Sequence, residues 1–200
     1  IPLVLVARGD GKIKSLKDFI DQARANPGKL TYSTPGNGTT SHLAMESLKQ
    51  ATGINVLHVP YTGSSRSLTD LMAGNGDVSF DTITTVQPFA ESGKLKALAI
   101  GATERVAALP QVPTLAESGY REIIGAVWIG AFVPTGTPAP VIRRLESEIG
   151  QAVRDPAIAQ RLNGAGLYVR YADAPGFAKI LAADTPKIRK VVQISGAKAD

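Results

Sequence analysis

The residues best placed to do chemistry lie in one run of hydroxyls and glycines, Ser33-Thr34-Pro35-Gly36-Asn37-Gly38-Thr39-Thr40-Ser41. Leu30 and Tyr32 alternate with polar neighbours before it, as a half-buried strand does, and Leu43, Ala44, Leu48 and Ala51 follow at helical spacing. Pro35, Gly36, Asn37 and Gly38 are turn formers, and Thr39, Thr40 or Ser41 can cap the helix. A tight turn feeding a helix start leaves several N–H groups pointing one way, at the positive end of the helix dipole. That arrangement suits a carboxylate or a phosphate, and it equally describes an ordinary capped helix after a turn. The segment Pro60-Tyr61-Thr62-Gly63-Ser64-Ser65 repeats the pattern. Asp81 follows a buried-type strand and precedes a helix, so three readings stand: a general base, an N-cap for Thr84, or an acceptor for a ligand hydroxyl, amine or ordered water.

Several chemistries are excluded or disfavoured. The chain has no Cys, which removes disulfides, thiolate nucleophiles and Cys-based metal sites. Its two histidines, His42 and His58, form no metal-ligand pair. His42 reads as a neutral imidazole donating to backbone or water in the first helical turn, and His58 as a strand residue facing a neighbour. No Gly-x-Ser-x-Gly elbow or Walker-type phosphate loop occurs, and Gly36-x-Gly38 lacks the rest of a dinucleotide fingerprint. A net charge of +5 allows nucleic acid, but the basic residues are spread, and Lys187-Ile188-Arg189-Lys190 reads as a solvated helix face without interleaved aromatics. No cofactor and no nucleic-acid partner is expected. Hydrophobic residues make up 44% and charged ones 20%, a globular balance, and no apolar run approaches the roughly 20 residues of a membrane span. The chain begins at Ile1 rather than Met, so a signal peptide, a longer N-terminal portion, or both are expected to precede it.

The elements that must position these residues alternate. Apolar runs predict strands near 3–7, 30–33, 55–59, 77–80 and 95–100. Helices are expected over 16–25 with Ser15 as cap, from about 40 to 51, 65 to 74 and 86 to 91. Short connections between them are the mark of an α/β layer with a mainly parallel sheet, whose strand carboxyl ends share one edge. Beyond residue 100 come a proline-bounded loop, a short helix over 115–118 and a long apolar strand over 126–134 carrying Trp128, which reads as core. An amphipathic helix over 141–154, a helix ending at Gly164, a short strand over 167–171 and a basic C-terminal helical region complete the chain.

Six ordered motifs resemble one family. They are Tyr32-Ser33-x-Pro35-Gly36-Asn37-Gly38-Thr39-x-Ser41-His42-Leu43, His58-Val59-Pro60-Tyr61-x-Gly63-Ser64, Phe80-Asp81, Gly93-Lys94-Leu95-x-Ala97-Leu98-Ala99, Leu109-Pro110-x-Val112-Pro113-Thr114-x-Ala116-Glu117-x-Gly119, and Pro134-x-Gly136-Thr137-Pro138-Ala139-Pro140-Val141. Together they are similar to the solute receptors of tripartite tricarboxylate transporters, the Bug/TctC type. The resemblance implies a type II periplasmic-binding-protein-like α/β fold, with one complete βα lobe and the C-terminal part of a second. It implies a non-catalytic periplasmic protein that closes on a small mono- or dicarboxylate, amino acids and aromatic acids included. The partners implied are membrane transporter subunits, or a membrane sensor using the same site.

Mapped onto this chain, residues 3–126 become the second lobe, 127–133 a hinge-crossing strand and 134–200 the return to the first lobe. Ser33, Thr34, Gly38, Thr39 and Thr40 face the ligand from one helix start, with Ser64 and Asp81 from the adjacent turns. Family members carry about a hundred further residues before the position of Ile1. A chain without them is expected to expose apolar surface and an open edge and so to self-associate. The alternative from a different class is a small hydrolase or isomerase with Asp81 as base.

Overall fold

The computed structural model describes residues 1–123 and 125–197. Five strands form one sheet in the order β3-β2-β4-β1-β5: β1 Leu3–Arg8, β2 Thr31–Thr34, β3 Leu57–Pro60, β4 Val78–Thr82 and β5 Leu95–Ile100. Helices α1 Leu16–Ala25, α2 Thr40–Thr52, α3 Ser64–Ala73 and α4 Ile83–Glu91 alternate with them, followed by α5 Ala139–Arg154, α6 Pro156–Gly164 and α7 Ala174–Ser195. Among the described residues no helix is long and apolar enough to cross a membrane.

The sheet is mixed, which corrects the mainly parallel expectation. β2 pairs parallel with β3 and β4, whereas β1 pairs antiparallel with both β4 and β5. Strands β2 to β5 therefore run one way and β1 is inserted against them. The run from Leu3 to Val6 is completely buried, because β1 lies inside the sheet, between β4 and β5, and is covered on both faces. That burial is what a continuous apolar run reports; direction is not encoded in it.

The pleat sorts the sheet into two faces. On one, Leu3, Leu5, Tyr32, Val78, Phe80 and Leu98 form a core with Leu16, Phe19, Ile20 and Ala23 of α1 and Ala44, Met45 and Leu48 of α2. Each large side chain fully removed from water there contributes about 1.5–3 kcal/mol. On the other face lie Val4 and Val6 of β1 and the polar Ser33, Ser79 and Asp81, against α3, which touches β1, β2 and β4.

Two compact units divide the chain. The first comprises Ile1–Val127 together with the chain from Ile188 onward, and the second Trp128–Lys187. In the first, the entry to β1 is held on several sides. Leu3 N–H donates to Gly125 O at 2.8 Å, Gly101 N–H to Leu3 O at 2.8 Å, and Val127 N–H to Ile1 O at 2.8 Å. A Cβ on Gly101 would stand 2.0 Å from Gly125 O, so these backbones approach more closely than any side chain allows. Gly101→Ala is expected to destabilise the fold by about 1–3 kcal/mol or more, read as a lower urea midpoint at unchanged slope.

The segment expected as a short helix near 115–118 is a turn only. Thr114 N–H donates to Glu117 Oε2 and Glu117 N–H to Thr114 Oγ1, each at 3.0 Å, a reciprocal cap with no helix behind it.

The second unit is helical. Asp155 Oδ1 caps α6 by accepting from Ala157 and Ile158 N–H, and the Arg154 guanidinium lies 4.3 Å from the centre of the Tyr171 ring. Residues 127–133 and 167–171 form no strand, contrary to expectation: pairing with the chain's start stops at Ala126 and Val127, and the described residues of the second unit offer no sheet to join. Trp128, expected in the core, is 41% exposed and meets Phe177 edge-on at 5.0 Å. Val141, Leu145 and Ile149 of α5 leave an apolar stripe partly in solvent, each 40–47% exposed.

Candidate functional site

The carboxyl ends of β3, β2 and β4 lie side by side, with Thr34 opposite Pro60 and Ser33 opposite Ser79, and each leads into a helix. Backbone bonds tie the first two turns to each other and the third to the entry of β1. Tyr61 N–H donates to Thr34 O at 3.0 Å, Gly63 N–H to Pro35 O at 2.8 Å, and Ile83 N–H to Pro2 O at 2.9 Å. Three helix starts, each equivalent to about half a positive charge, thus share one edge of the sheet. Thr39 caps α2, its Oγ1 donating to Gly36 O at 2.8 Å and accepting the His42 N–H. Neither α3 nor α4 has a side-chain cap. Gly63, at φ +117°, takes the backbone into a region that other residues avoid, and so starts α3 with no side chain over its amides.

Asp81 is 1% exposed at the end of β4. Its Oδ1 gathers Ser64 Oγ at 2.9 Å, Thr85 Oγ1 at 2.8 Å and the Thr82 N–H at 2.7 Å. Its Oδ2 is buried without a partner among the described residues. Burial pushes the carboxyl above the usual carboxylate range, and the bonds from Thr85, Ser64 and Thr82 oppose that rise. Thr82, not Asp81, stands at the cap of α4, so the Thr84 N-cap reading fails. A base must reach a substrate proton, and here one oxygen is saturated and the other enclosed.

Beneath the turns a buried serine cluster joins the same face. Ser67 Oγ donates to Ser33 Oγ at 2.8 Å, and Ser79 Oγ to Ser33 O at 3.0 Å. Neither Ser67 nor Ser79 was singled out by sequence, although the alternation Val78-Ser79-Phe80-Asp81 carries the signal of a strand with one polar face.

Behind the first turn sits an aromatic stack that sequence reasoning also missed. The Tyr32 ring stacks on His58 at 4.7 Å, and His58 on His42 at 4.0 Å. Tyr32 Oη donates to Glu46 Oε1 at 2.5 Å, and Lys49 Nζ reaches the same oxygen at 2.6 Å. Burial and the Glu46 carboxylate hold the phenol protonated far above its usual range. His42 was expected to donate; instead its Nδ1 accepts the Gly38 N–H at 3.1 Å. A backbone N–H can only donate, so Nδ1 is bare and the neutral ring carries its proton on Nε2. Burial lowers the His42 pKa; Glu46 raises it and Lys49 lowers it.

The sign of the pH effect follows. A histidine with a depressed folded pKa contributes stability that is present above its unfolded value of about 6.5 and lost as pH falls toward the folded value. Urea midpoints are expected to fall between pH 7.5 and 5.5, and to fall less in His42→Asn, with Asp81 common to both proteins.

The structure brings all seven candidate residues to this edge, in different positions. Gly38, Thr39, Thr40 and Ser64 are half-buried at the helix starts, whereas Ser33, Thr34 and Asp81 are buried beneath them. A family model described as "Tripartite tricarboxylate transporter family receptor" matches residues 1–196. The chain belongs to that receptor family. A family relative from Pseudomonas sp. (strain P51), described as a UPF0065 protein in the tcbD-tcbE intergenic region, is 33% identical over 193 residues, covering 96% of this chain and 57% of that protein. A solved structure described as R. palustris Rpa4515 with adipate matches with a TM-score of 0.88 and 27% identity, covering 98% of this chain and 66% of that one. The periplasmic binding protein BugD matches with a TM-score of 0.82 and 30% identity, covering 100% and 67%. The α/β fold is thus that of periplasmic binding proteins of this family, and the chain spans little more than half the length of the curated relative.

Proposed function

We propose that this chain forms one ligand-binding wall of a periplasmic solute receptor that captures a small mono- or dicarboxylate and releases it unchanged. The observation that carries this reading is the convergence of three strand-to-helix turns on one sheet edge, two of the helices starting without a side-chain cap. Backbone amides at helix starts hold a carboxylate by charge-assisted hydrogen bonds and need no arginine. Thr39, Thr40 and Ser64 supply N–H and hydroxyl groups to the ligand in this reading; Gly38, whose own N–H is given to His42 Nδ1, shapes the turn, and Ser33, Thr34 and Asp81 fix the positions from beneath. The adipate in the R. palustris relative supports a dicarboxylate as the class to test.

Delivery to a tripartite tricarboxylate transporter, or to a membrane sensor, belongs to the same proposal. So does the division into a lobe over 3–126, a hinge crossing over 127–133 and a second lobe from 134. The backbone bonds joining Ile1 and Leu3 to Val127 and Gly125 support a crossing there. The exposed apolar stripe on α5 supports self-association of the chain as given.

The test is native mass spectrometry with added adipate, followed by denaturation of the same sample. A 1:1 adduct that releases the acid unchanged after long incubation is the expected result. Recovery of a converted compound would favour the enzyme reading, and the absence of any adduct at millimolar adipate would count against this wall as a binding surface.

A further inference from the structure

We propose that His42 is a pH-dependent positioning residue for the anion-receiving turn: its neutral ring holds the Gly38 amide, and protonation of that ring releases it. The inference rests on the reading that this turn receives a carboxylate, and its structural half stands apart from it.

The turn is gripped at both ends by stacked imidazoles. At one end His42 Nδ1 accepts the Gly38 N–H at 3.1 Å. At the other, His58 Nε2 lies 2.7 Å from Thr34 Oγ1, which donates to Gly36 O at 3.2 Å. Thr39 Oγ1 donates to the same carbonyl at 2.8 Å. Gly38 needs the grip because it holds φ +67°, a conformation glycine adopts freely but is not confined to. With both ends fixed, Thr39 and Thr40 follow at a defined start of α2.

Protonating His42 converts Nδ1 from acceptor to donor, and it then faces another donor. The two N–H groups cannot share a bond, so the ring or the turn must move. The groups around the ring offer the new charge little. Glu46 of α2 lies 3.9 Å from His42 Nε2, but the contacting oxygen already accepts from Lys49 and from Tyr32 of β2. Lys49 is itself a cation beside that carboxylate. From β3, His58 stacks at 4.0 Å with planes 17° apart, so a positive charge on either ring disfavours one on the other. The side chain is 8% exposed, leaving water little access to solvate the charge. Burial, Lys49 and the stacked His58 favour the neutral, Gly38-holding form at neutral pH, Glu46 alone opposes them, and none of these groups retains the amide once the proton arrives.

The experiment follows the Gly38 amide and the His42 ring nitrogens by NMR from pH 8 to 5 in wild type and in His42→Asn, whose carboxamide oxygen can accept at the Nδ1 position but cannot titrate there. Calorimetry with adipate at pH 7.5 and 5.5 runs beside it. In wild type the Gly38 amide shifts with the same midpoint as His42, and adipate affinity falls by up to about tenfold per pH unit below it. In His42→Asn the amide stays put, and affinity changes only as far as adipate's own protonation requires. A Gly38 amide that ignores the His42 titration, or wild type and His42→Asn losing affinity in parallel, overturns the proposal. So does tighter wild-type binding at pH 5.5. Should neither protein bind adipate at either pH, the receptor reading fails, and the Gly38 amide alone decides the positioning role. Should His42→Asn fail to fold, the coincidence or divergence of the two wild-type midpoints still decides it.

Discussion

Asp81→Ala is expected to weaken adipate binding by about 1–3 kcal/mol, roughly five- to 150-fold. The reason is the work done by one oxygen. Asp81 Oδ1 collects the Ser64 hydroxyl from the start of α3, and the Thr82 N–H and Thr85 hydroxyl from the start of α4. Truncation removes the acceptor that all three share, leaves the Thr85 hydroxyl its bond to Thr82 O at 2.9 Å, and frees Ser64 to turn away from the position it holds at the uncapped helix end. Stability moves less predictably, because the same substitution removes a carboxyl that burial already disfavours as an anion. Asp81→Asn separates the two effects. It keeps an acceptor at Oδ1 but sets an NH2 group where Oδ2 has no partner among the described residues. Adipate affinity nearer wild type in Asn than in Ala would assign the effect to the acceptor. Unchanged affinity in the Ala variant, measured by calorimetry beside a urea melt, would remove Asp81 from the site.

Much of this architecture was legible because local signals agreed. Ser15 caps α1 where expected, with its Oγ accepting the Asp18 N–H at 3.0 Å, and Thr39 proved to be the cap among three candidates. The strand–turn–helix order through residue 100 followed from periodicity and turn chemistry alone. What failed was decided by tertiary partners. The apolar run of β1 reported burial on two faces, yet its antiparallel direction depends on where the chain enters the sheet, which no local pattern records. Apolar residues 126–134 matched a strand, but only Ala126 and Val127 pair, with the chain's start; beyond them there is no ladder to complete, and Trp128 meets Phe177 instead of a core. At the site, hydroxyls and glycines in turns were visible one at a time. The partners that order them were not, since Ser67, Ser79 and Glu46 lie a helix or a strand away from the residues they contact. His42 shows the limit most plainly: its place in a first helical turn was clear, but whether it donates or accepts depended on where Gly38 points.

A series at Tyr32 tests whether that hidden layer supports the visible one. Tyr32→Ala is expected to cost about 3–5 kcal/mol, the range for deleting a buried aromatic ring, against a total stability of about 5–15 kcal/mol for a typical domain. The ring is completely buried between the core and His58, and its loss leaves a cavity behind the stacked imidazoles. Tyr32→Phe keeps the ring and removes only the hydroxyl that donates to Glu46, so about 1–3 kcal/mol is expected. The two variants should also part in function. With the ring present, His58 and His42 keep their stack and Gly38 its acceptor, so Tyr32→Phe loses stability while retaining most of its adipate affinity. Without it, His58 keeps His42 on one face but loses the ring on the other, and Tyr32→Ala loses both. Urea melts and adipate titrations on the same preparations read this directly. Equal losses of stability in the two variants would shift the weight from the ring to the Glu46 contact. Full affinity in a folded Tyr32→Ala would mean that the turn holds its shape without the stack, leaving Thr39 and the backbone ties to β3 to order it.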